Sequence, residues 1–311
     1  MNLSAKVDNL FLNQLRDWEL ARVNYGLLDR VRSRTIDFGE FQILVQFNPE
    51  RIRSSAAKVD ARSIEERPCF LCARNRPASQ TGLPVENDLT ILLNPFPIFS
   101  RHLTIVSGEH KDQRILKNFL SMLELARDLM NFVIFYNGPQ CGASAPDHFH
   151  FQAGNRGFLP IESDFLHRRC VNLLTVRNGV EVFTWKGYGR GIATIKGVNI
   201  NQIVAIFESF YDSFLLLQPD KPEPMLNILA YADNDVFTVH IIPRILHRPT
   251  QFSAEGDAQI LLSPASVDLG GVVITPREED FEKITANDIE DIFSQVCMDE
   301  KTIISLLKNI S

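Results

Sequence analysis

Long apolar runs are missing from this sequence. No stretch of its 311 residues approaches the roughly 18 uncharged apolar residues that a membrane-spanning helix needs. The first twenty residues, MNLSAKVDNLFLNQLRDWEL, have no continuous apolar core and carry Asp, Arg and Glu early, which speaks against a secretory signal. Cysteine is scarce: Cys69, Cys72, Cys141, Cys170 and Cys297 are an odd, widely spaced set and do not look like a disulfide framework. Basic charge is in deficit, with 32 Lys and Arg against 38 Asp and Glu and a formal net charge of −6. That balance excludes a broad electrostatic footprint for DNA or RNA but leaves room for a local basic pocket around one phosphorylated small molecule. Together these absences predict a soluble cytoplasmic protein with neither nucleic acid nor membrane as partner; either a monomer or a homodimer is expected.

What is present suits a sizeable core: 45% of residues are hydrophobic and 23% charged. Val7, Leu10, Phe11, Leu15 and Trp18 recur at helical spacing and predict a helix over 7–22. Residues 41–47 read as a strand, and the polar, basic stretch 51–68 as an irregular connection. From residue 88 onward one order of elements occurs twice. Strands at 89–93 and 102–106, a helix over 111–130 and strands at 132–136 and 148–153 form the first copy. Strands at 180–185 and 191–196, a helix over 200–217 and strands at 226–231 and 236–242 form the second. The order β-β-α-β-β, rather than matching residues, predicts a repeat with halves 1–165 and 166–311. The tail, 281–309, reads as two short helices.

The sharpest local feature is Asp147-His148-Phe149-His150-Phe151-Gln152. On a strand, side chains alternate between faces, so His148, His150 and Gln152 share one face while Phe149 and Phe151 anchor the other in the core. A polar surface strand has the same pattern. The functional alternative is nucleophilic attack on phosphorus. A neutral imidazole is a good nucleophile once its second nitrogen is held as a donor, commonly by a backbone carbonyl. A glutamine two residues on can donate to a phosphoryl oxygen but cannot shuttle a proton, which favours transfer over hydrolysis. The upstream Cys141-Gly142-Ala143-Ser144 connection is tight enough to bring backbone N–H groups near an anion. Separately, Cys69-Phe70-Leu71-Cys72 is a C-x-x-C with three readings: half a zinc site, a redox pair, or two buried small hydrophobes. Any metal there needs His or carboxylate to complete four ligands.

The segment YNGPQCGASAPDHFHFQAG resembles the active-site region of the histidine triad superfamily. It is most similar to the transferase branch that ends the motif in Gln: galactose-1-phosphate uridylyltransferases, diadenosine tetraphosphate phosphorylases and GDP-hexose phosphorylases. The resemblance continues upstream in LLNPFPIFSRHLTIVSGEH and downstream in SPASVDLGGVVITPREEDFEKI, touching about residues 40–285. It implies an α+β fold, in which two tandem triad-like halves form one extended, mainly antiparallel sheet flanked by helices. It also implies a nucleotidyltransferase or phosphorylase, with His150 as nucleophile forming a nucleotidyl-histidine intermediate. The substrate would be a nucleoside diphosphate sugar or dinucleoside polyphosphate, and the acceptor phosphate or a sugar phosphate. Gln152 would hold the α-phosphoryl group. Ser144 resembles a phosphate-contacting serine, although it lies four residues before His148 rather than three. Asn94 and Asn137 match positions near nucleoside and phosphate, and Arg51 and Arg53 resemble basic residues near the first strand of relatives and are candidate phosphate contacts. CFLCARNRP resembles the metal segment of the uridylyltransferases, where a later His and the first His of H-x-H complete the site. The matching set here is Cys69, Cys72, His110 and His148, two thiolates and two imidazoles that suit a structural zinc with no open position.

The remaining histidines read blandly: His102 as structural and His167 as surface. His240 falls on the strand of the second copy that matches the H-x-H-x-Q strand, without a second triad. Arg244, His247 and Arg248 read as solvated surface or as phosphate contacts. Two other functions stay open, a nucleotide hydrolase and a nucleotide-binding protein without chemistry.

Overall fold

The structure is a computed structural model that describes residues 2–52 and 60–308. Its centre is a ten-stranded, wholly antiparallel sheet. In chain order its strands are β3 (Gly82–Val85), β4 (Leu89–Leu93), β5 (His102–Ser107), β6 (Phe132–Asn137), β7 (His150–Asn155), β8 (Val171–Arg177), β9 (Val180–Trp185), β10 (Ala193–Gly197), β11 (Leu226–Asp233) and β12 (Val236–Pro243). In space they run β3-β4-β5-β7-β6-β11-β12-β10-β9-β8. Read outward from the central β6–β11 pair, both halves have the same order, so the repeat seen in the element order closes one continuous sheet. Register carries the equivalence to single residues. Gln152 of β7 faces Thr104 of β5, and His240 of β12 faces Thr194 of β10. His240 thus stands where the first half has Gln152.

Period-2 alternation assigns the two faces. Phe149 and Phe151 are buried beneath helices α4 (Phe119–Asp128) and α6 (Ile200–Leu215), whose Phe119 and Phe207 rings stack 3.7 Å apart. On the opposite face a small sheet, β1 (Arg32–Asp37), β2 (Gln42–Phe47) and β13 (Val272–Thr275), packs with α8 (Ala286–Val296) over Phe135, Trp185 and Leu229. The second core holds His240 against Phe165 of α5 (Pro160–Leu166), Trp185 and Tyr231, with Nδ1 2.8 Å from the Thr194 hydroxyl. Burial pushes its pKa down to about 3, so it is a neutral core residue.

Several boundaries differ from the sequence expectation, each for a local reason. The helix expected over 7–22 is two, α1 (Leu3–Asp17) and α2 (Glu19–Leu27), because Trp18 adopts an extended conformation between them. The helix expected from 111 begins only with a 3₁₀ turn at Leu116. Lys111 and Gln113 instead pair their backbones with Phe149 and Pro146. The histidine strand begins at His150, two residues late, because the His148 N–H turns back to the Ala145 carbonyl. Part of the connection expected to be irregular is a short helix, α3 (Ala61–Glu66). The tail from 281 holds the end of one helix, α7 (Glu278–Lys283), then α8 and α9 (Glu300–Lys308). Strands β1, β3, β8 and β13 were not foreseen. Charged β1 and half-exposed β8 lack an apolar alternation, and β13 is too short for a period to show.

Candidate active site

Strands β4, β5, β6 and β7 floor a cavity of about 760 Å³ on the face away from α4 and α6. His150, Gln152, Asn94, Asn137, Ser144 and Arg51 all line it, although they lie up to about a hundred residues apart in sequence. Arg53 lies outside the described residues.

His150 is held from three sides. Its N–H donates to Gln113 Oε1 at 2.8 Å, and its carbonyl accepts from Gln113 Nε2 at 2.8 Å. Its Nδ1 lies 2.8 Å from the His148 carbonyl. A carbonyl only accepts, so Nδ1 carries the proton and Nε2 the lone pair. Burial drops the His150 pKa to about 4, which keeps the ring neutral near pH 7. A neutral imidazole with one nitrogen tied and the other unprotonated is the form a nucleophile requires.

Gln152 is oriented by His102. The Ile98 N–H donates to His102 Nδ1 at 3.2 Å, so the His102 proton sits on Nε2, 3.0 Å from Gln152 Oε1. The His102 pKa is pushed down to about 3 by burial and by the Arg51 charge. Asn94 Nδ2 lies 3.4 Å from the same Gln152 oxygen. With Oε1 occupied, the Gln152 amide NH₂ is left as its donor toward the cavity. The sequence reading of His102 as structural therefore needs extending, because it sets which end of Gln152 meets a ligand. Asn94 itself is committed to scaffolding, donating to Thr104 Oγ1 at 3.0 Å and accepting the Phe96 N–H at 2.9 Å. Asn137 has its Oδ1 filled by Asn227 Nδ2 and by the N–H and hydroxyl of Ser266, at 2.7–2.9 Å, so its remaining polar group is Nδ2.

The site's charges come from Arg51, Arg67 and Asp268. Arg51 donates to the Phe96 carbonyl at 2.9 Å, and burial pulls its pKa down to about 10, still charged at neutral pH. Burial raises Asp268 to about 6 while its carboxylate holds the N–H groups of Ala265 and Ile274. Arg244 is neither surface nor phosphate contact. It is fully buried, and its guanidinium donates to Asn227 Oδ1 and to the carbonyls of Val296, Pro264, Leu246 and His247. Through Asn227 it supports Asn137 from behind.

Beside the cavity, Cys69, Cys72, His110 and His148 bring their ligand atoms within 4.8 Å of one another. The individual separations are 3.4 Å (Cys69 Sγ to His148 Nδ1), 3.3 Å (Cys72 Sγ to His110 Nδ1), 3.5 Å (Cys72 Sγ to His148 Nδ1) and 3.3 Å (His110 Nδ1 to His148 Nδ1). Tetrahedral coordination with metal–nitrogen bonds of about 2.05 Å and metal–sulfur bonds of about 2.3 Å has edges of about 3.3 Å between nitrogens and about 3.6 Å from nitrogen to sulfur. The cluster matches that figure and could hold a metal. His148 Nε2 lies 2.9 Å from the Ser107 carbonyl, which can only accept, so Nε2 carries the proton and Nδ1 faces the cluster as an unprotonated nitrogen. His148 thus belongs to the cluster through its ring and to His150 through its carbonyl.

Three contributors had no sequence signal strong enough to find them. Gln113 sits in a stretch that reads as helix. Trp18 lines the cavity only because the first helix breaks there. Ser266 lies in the SPASVDLGG stretch that carries the downstream resemblance, but nothing local marks it as the partner of Asn137.

The mirrored strand order and the placement of the histidine strand define a histidine-triad-like α+β fold. A family model described as a domain of unknown function (DUF4922) matches residues 10–155. The galactose-1-phosphate uridylyltransferase of Halalkalibacterium halodurans is 27% identical over 160 residues, a match covering 44% of this chain and 32% of that protein. The chain thus spans about a third of the length of the curated relative it matches. Among solved structures, yeast Ap4A phosphorylase Apa2 in complex with Ap4A superposes with a TM-score of 0.63 at 16% identity, over 94% of this chain and 98% of that one. Its complex with AMP gives 0.61 at 15% identity, over 92% and 97%. These likenesses establish the fold. Among the described residues, no helix is long and apolar enough to cross a membrane.

Proposed function

We propose that this protein is a nucleotidyltransferase of the phosphorylase or uridylyltransferase kind. It cleaves a nucleoside diphosphate sugar or a dinucleoside polyphosphate by way of a nucleotidyl-histidine. The observation that carries the reading is the state of His150: neutral, with Nδ1–H tied to the His148 carbonyl and Nε2 left with its lone pair in the cavity. Nε2 attacks the α-phosphorus, the bond to the bridging oxygen breaks, and that oxygen leaves with its electron pair as part of a sugar phosphate or nucleotide. Such a leaving group is already a weak base and needs no proton. Gln152 Nε2, aimed by His102, donates to a non-bridging oxygen as charge builds there. Phosphate or a sugar phosphate then attacks the same phosphorus, the P–N bond breaks, and His150 regains its lone pair. Because Gln152 cannot relay a proton to or from water, transfer is favoured over hydrolysis. Arg51 supplies positive charge, with Asn137 Nδ2 and Ser144 Oγ as further donors for the phosphate chain.

In this reading Cys69, Cys72, His110 and His148 hold a structural zinc. With all four ligands supplied by the protein, a bound zinc would brace the His148–His150 segment and would leave no open position for chemistry.

The test is to incubate the protein with nucleoside diphosphate sugars and dinucleoside polyphosphates labelled at the α-phosphate, then quench. Acid-labile label on the unaltered protein and none on His150→Ala is expected. Failure of a broad panel to turn over or to label His150 would falsify the reading.

A further inference from the structure

Arg67 has a hydrogen-bonding group with nothing to hold. It sits at the end of α3, two residues before Cys69, and its guanidinium lines the cavity together with Ser144 and His150. Nη2 is committed, at 2.8 Å to Asp147 Oδ1 and 3.3 Å to the Ser144 carbonyl. Nη1 is enclosed, away from solvent, and has no partner. A buried, unpaired N–H on a charged guanidinium is costly unless a ligand completes it. The guanidinium is also positioned rather than free. It lies 5.3 Å from the Phe70 ring centre, and the carboxylate that grips it extends its other oxygen to 3.8 Å from His110 Nε2. Asp147 therefore stands between Arg67 and the Cys–His cluster.

We infer that Arg67 is a phosphate-binding residue for the part of the substrate beyond the attacked phosphoryl group, held in position by the cluster through Asp147. The inference rests on the nucleotidyl-transfer reading of the cavity and names a contact that reading lacks. His150 and Gln152 lie on the sheet floor and take the α-phosphoryl group. Arg67 comes from the end of α3 instead, with its guanidinium anchored to the loop at 144–147 and off the sheet floor, which assigns it to the next phosphate of the chain. A guanidinium suits that task because its fork can keep Asp147 on one nitrogen while offering the other to a phosphoryl oxygen.

The experiment is calorimetric titration of the metal-replete, full-length protein with adenosine, guanosine and uridine mono- and diphosphates. Unaltered protein is compared with Arg67→Gln and Arg67→Lys, and the metal content of each is measured. For the nucleotide that binds, Arg67→Gln is expected to weaken the diphosphate by about 10- to 100-fold, the size of a lost charge-assisted hydrogen bond. The monophosphate should change by less than about threefold on the same scale. Arg67→Lys, which keeps charge but not the fork, should lose about fivefold for the diphosphate and retain its metal; it is the deciding comparison if Arg67→Gln loses metal. Equal weakening of mono- and diphosphate, or no weakening, overturns the assignment. If the unaltered protein binds none of the six nucleotides, the nucleotide reading of the cavity falls and this inference with it.

Discussion

A histidine becomes a nucleophile toward phosphorus when one ring nitrogen is tied as a donor and the ring stays neutral, and a glutamine becomes a useful donor when its oxygen is already spoken for. His150 and Gln152 meet these conditions through neighbours, not through their own chemistry. If His150 carries the proposed covalent step, replacing it with Ala should lower turnover at least about a thousandfold, measured as steady-state release of product. Replacing His102 with Ala should act more gently. It frees the Gln152 amide to turn, and kcat should fall about 10- to 100-fold while KM changes little, since the lost donor matters most as charge builds on the phosphoryl oxygens. An equal rise in KM would mean that His102 serves ground-state binding instead. At this scale the sequence was informative about His150 and Gln152, because alternation on a strand is written into residue spacing. It was uninformative about His102, whose contact with Gln152 spans 50 residues.

Between residue and whole molecule, the decisive element is one that does not form. Lys111–Ile115 was expected to open the helix over 111–130, yet it stays unwound, its backbone and Gln113 bonding the loop that carries the histidines. Gln113 is completely buried and bonds the Asn137 carbonyl as well as both backbone groups of His150. Gln113→Ala should therefore destabilise the protein by about 3 kcal/mol or more in urea denaturation, because it strands several buried polar groups at once. A loss under about 1 kcal/mol would show that water or local shifts replace those bonds. With a metal bound, the Cys–His cluster would brace the same segment from the other side. Cys69→Ser should lower metal content, measured by elemental analysis, and lower Tm by several degrees; a metal-free wild-type protein with unchanged Tm would contradict that bracing role. Gly142 shows the same dependence on packing. At φ +94° a side chain is already strained, and a Cβ there would lie 2.5 Å from that of Ala265, so only glycine lets the loop close on the 264–266 segment.

Across the whole molecule, packing brings together groups that are far apart in sequence. Glu223 is buried behind β6, accepting the Tyr136 hydroxyl and the Ile115 N–H, each at 2.6 Å. Burial raises its pKa to about 7. A carboxyl whose folded pKa lies above its unfolded value contributes stability below about pH 4.5, and that contribution is lost as pH rises through about 7. Glu223→Gln does not titrate, so its stability relative to the unaltered protein should increase between pH 5 and pH 8, by on the order of 2 kcal/mol in urea denaturation. A constant difference across that range would mean that Glu223 is not the group that titrates.

The α+β class, the repeated element order, the histidine strand and the Cys–His ligand set were all legible in the sequence. The element order and the histidine strand depend on local spacing, period 2 for strands and 3.6 for helices, whereas the α+β class and the grouping of Cys69, Cys72, His110 and His148 came from the family resemblance. The resemblance implied that the two halves share one extended sheet; only the tertiary structure decided its mirrored ten-strand order, and that His240 occupies the place of Gln152 and is sealed into an aromatic core. It also decided that Arg244 is an internal strut and that Ser266 reaches across 129 residues to Asn137. Burial and hydrogen-bond partners are properties of chains brought together by packing. The same arginine or histidine is surface, scaffold or reagent according to what the fold sets against it.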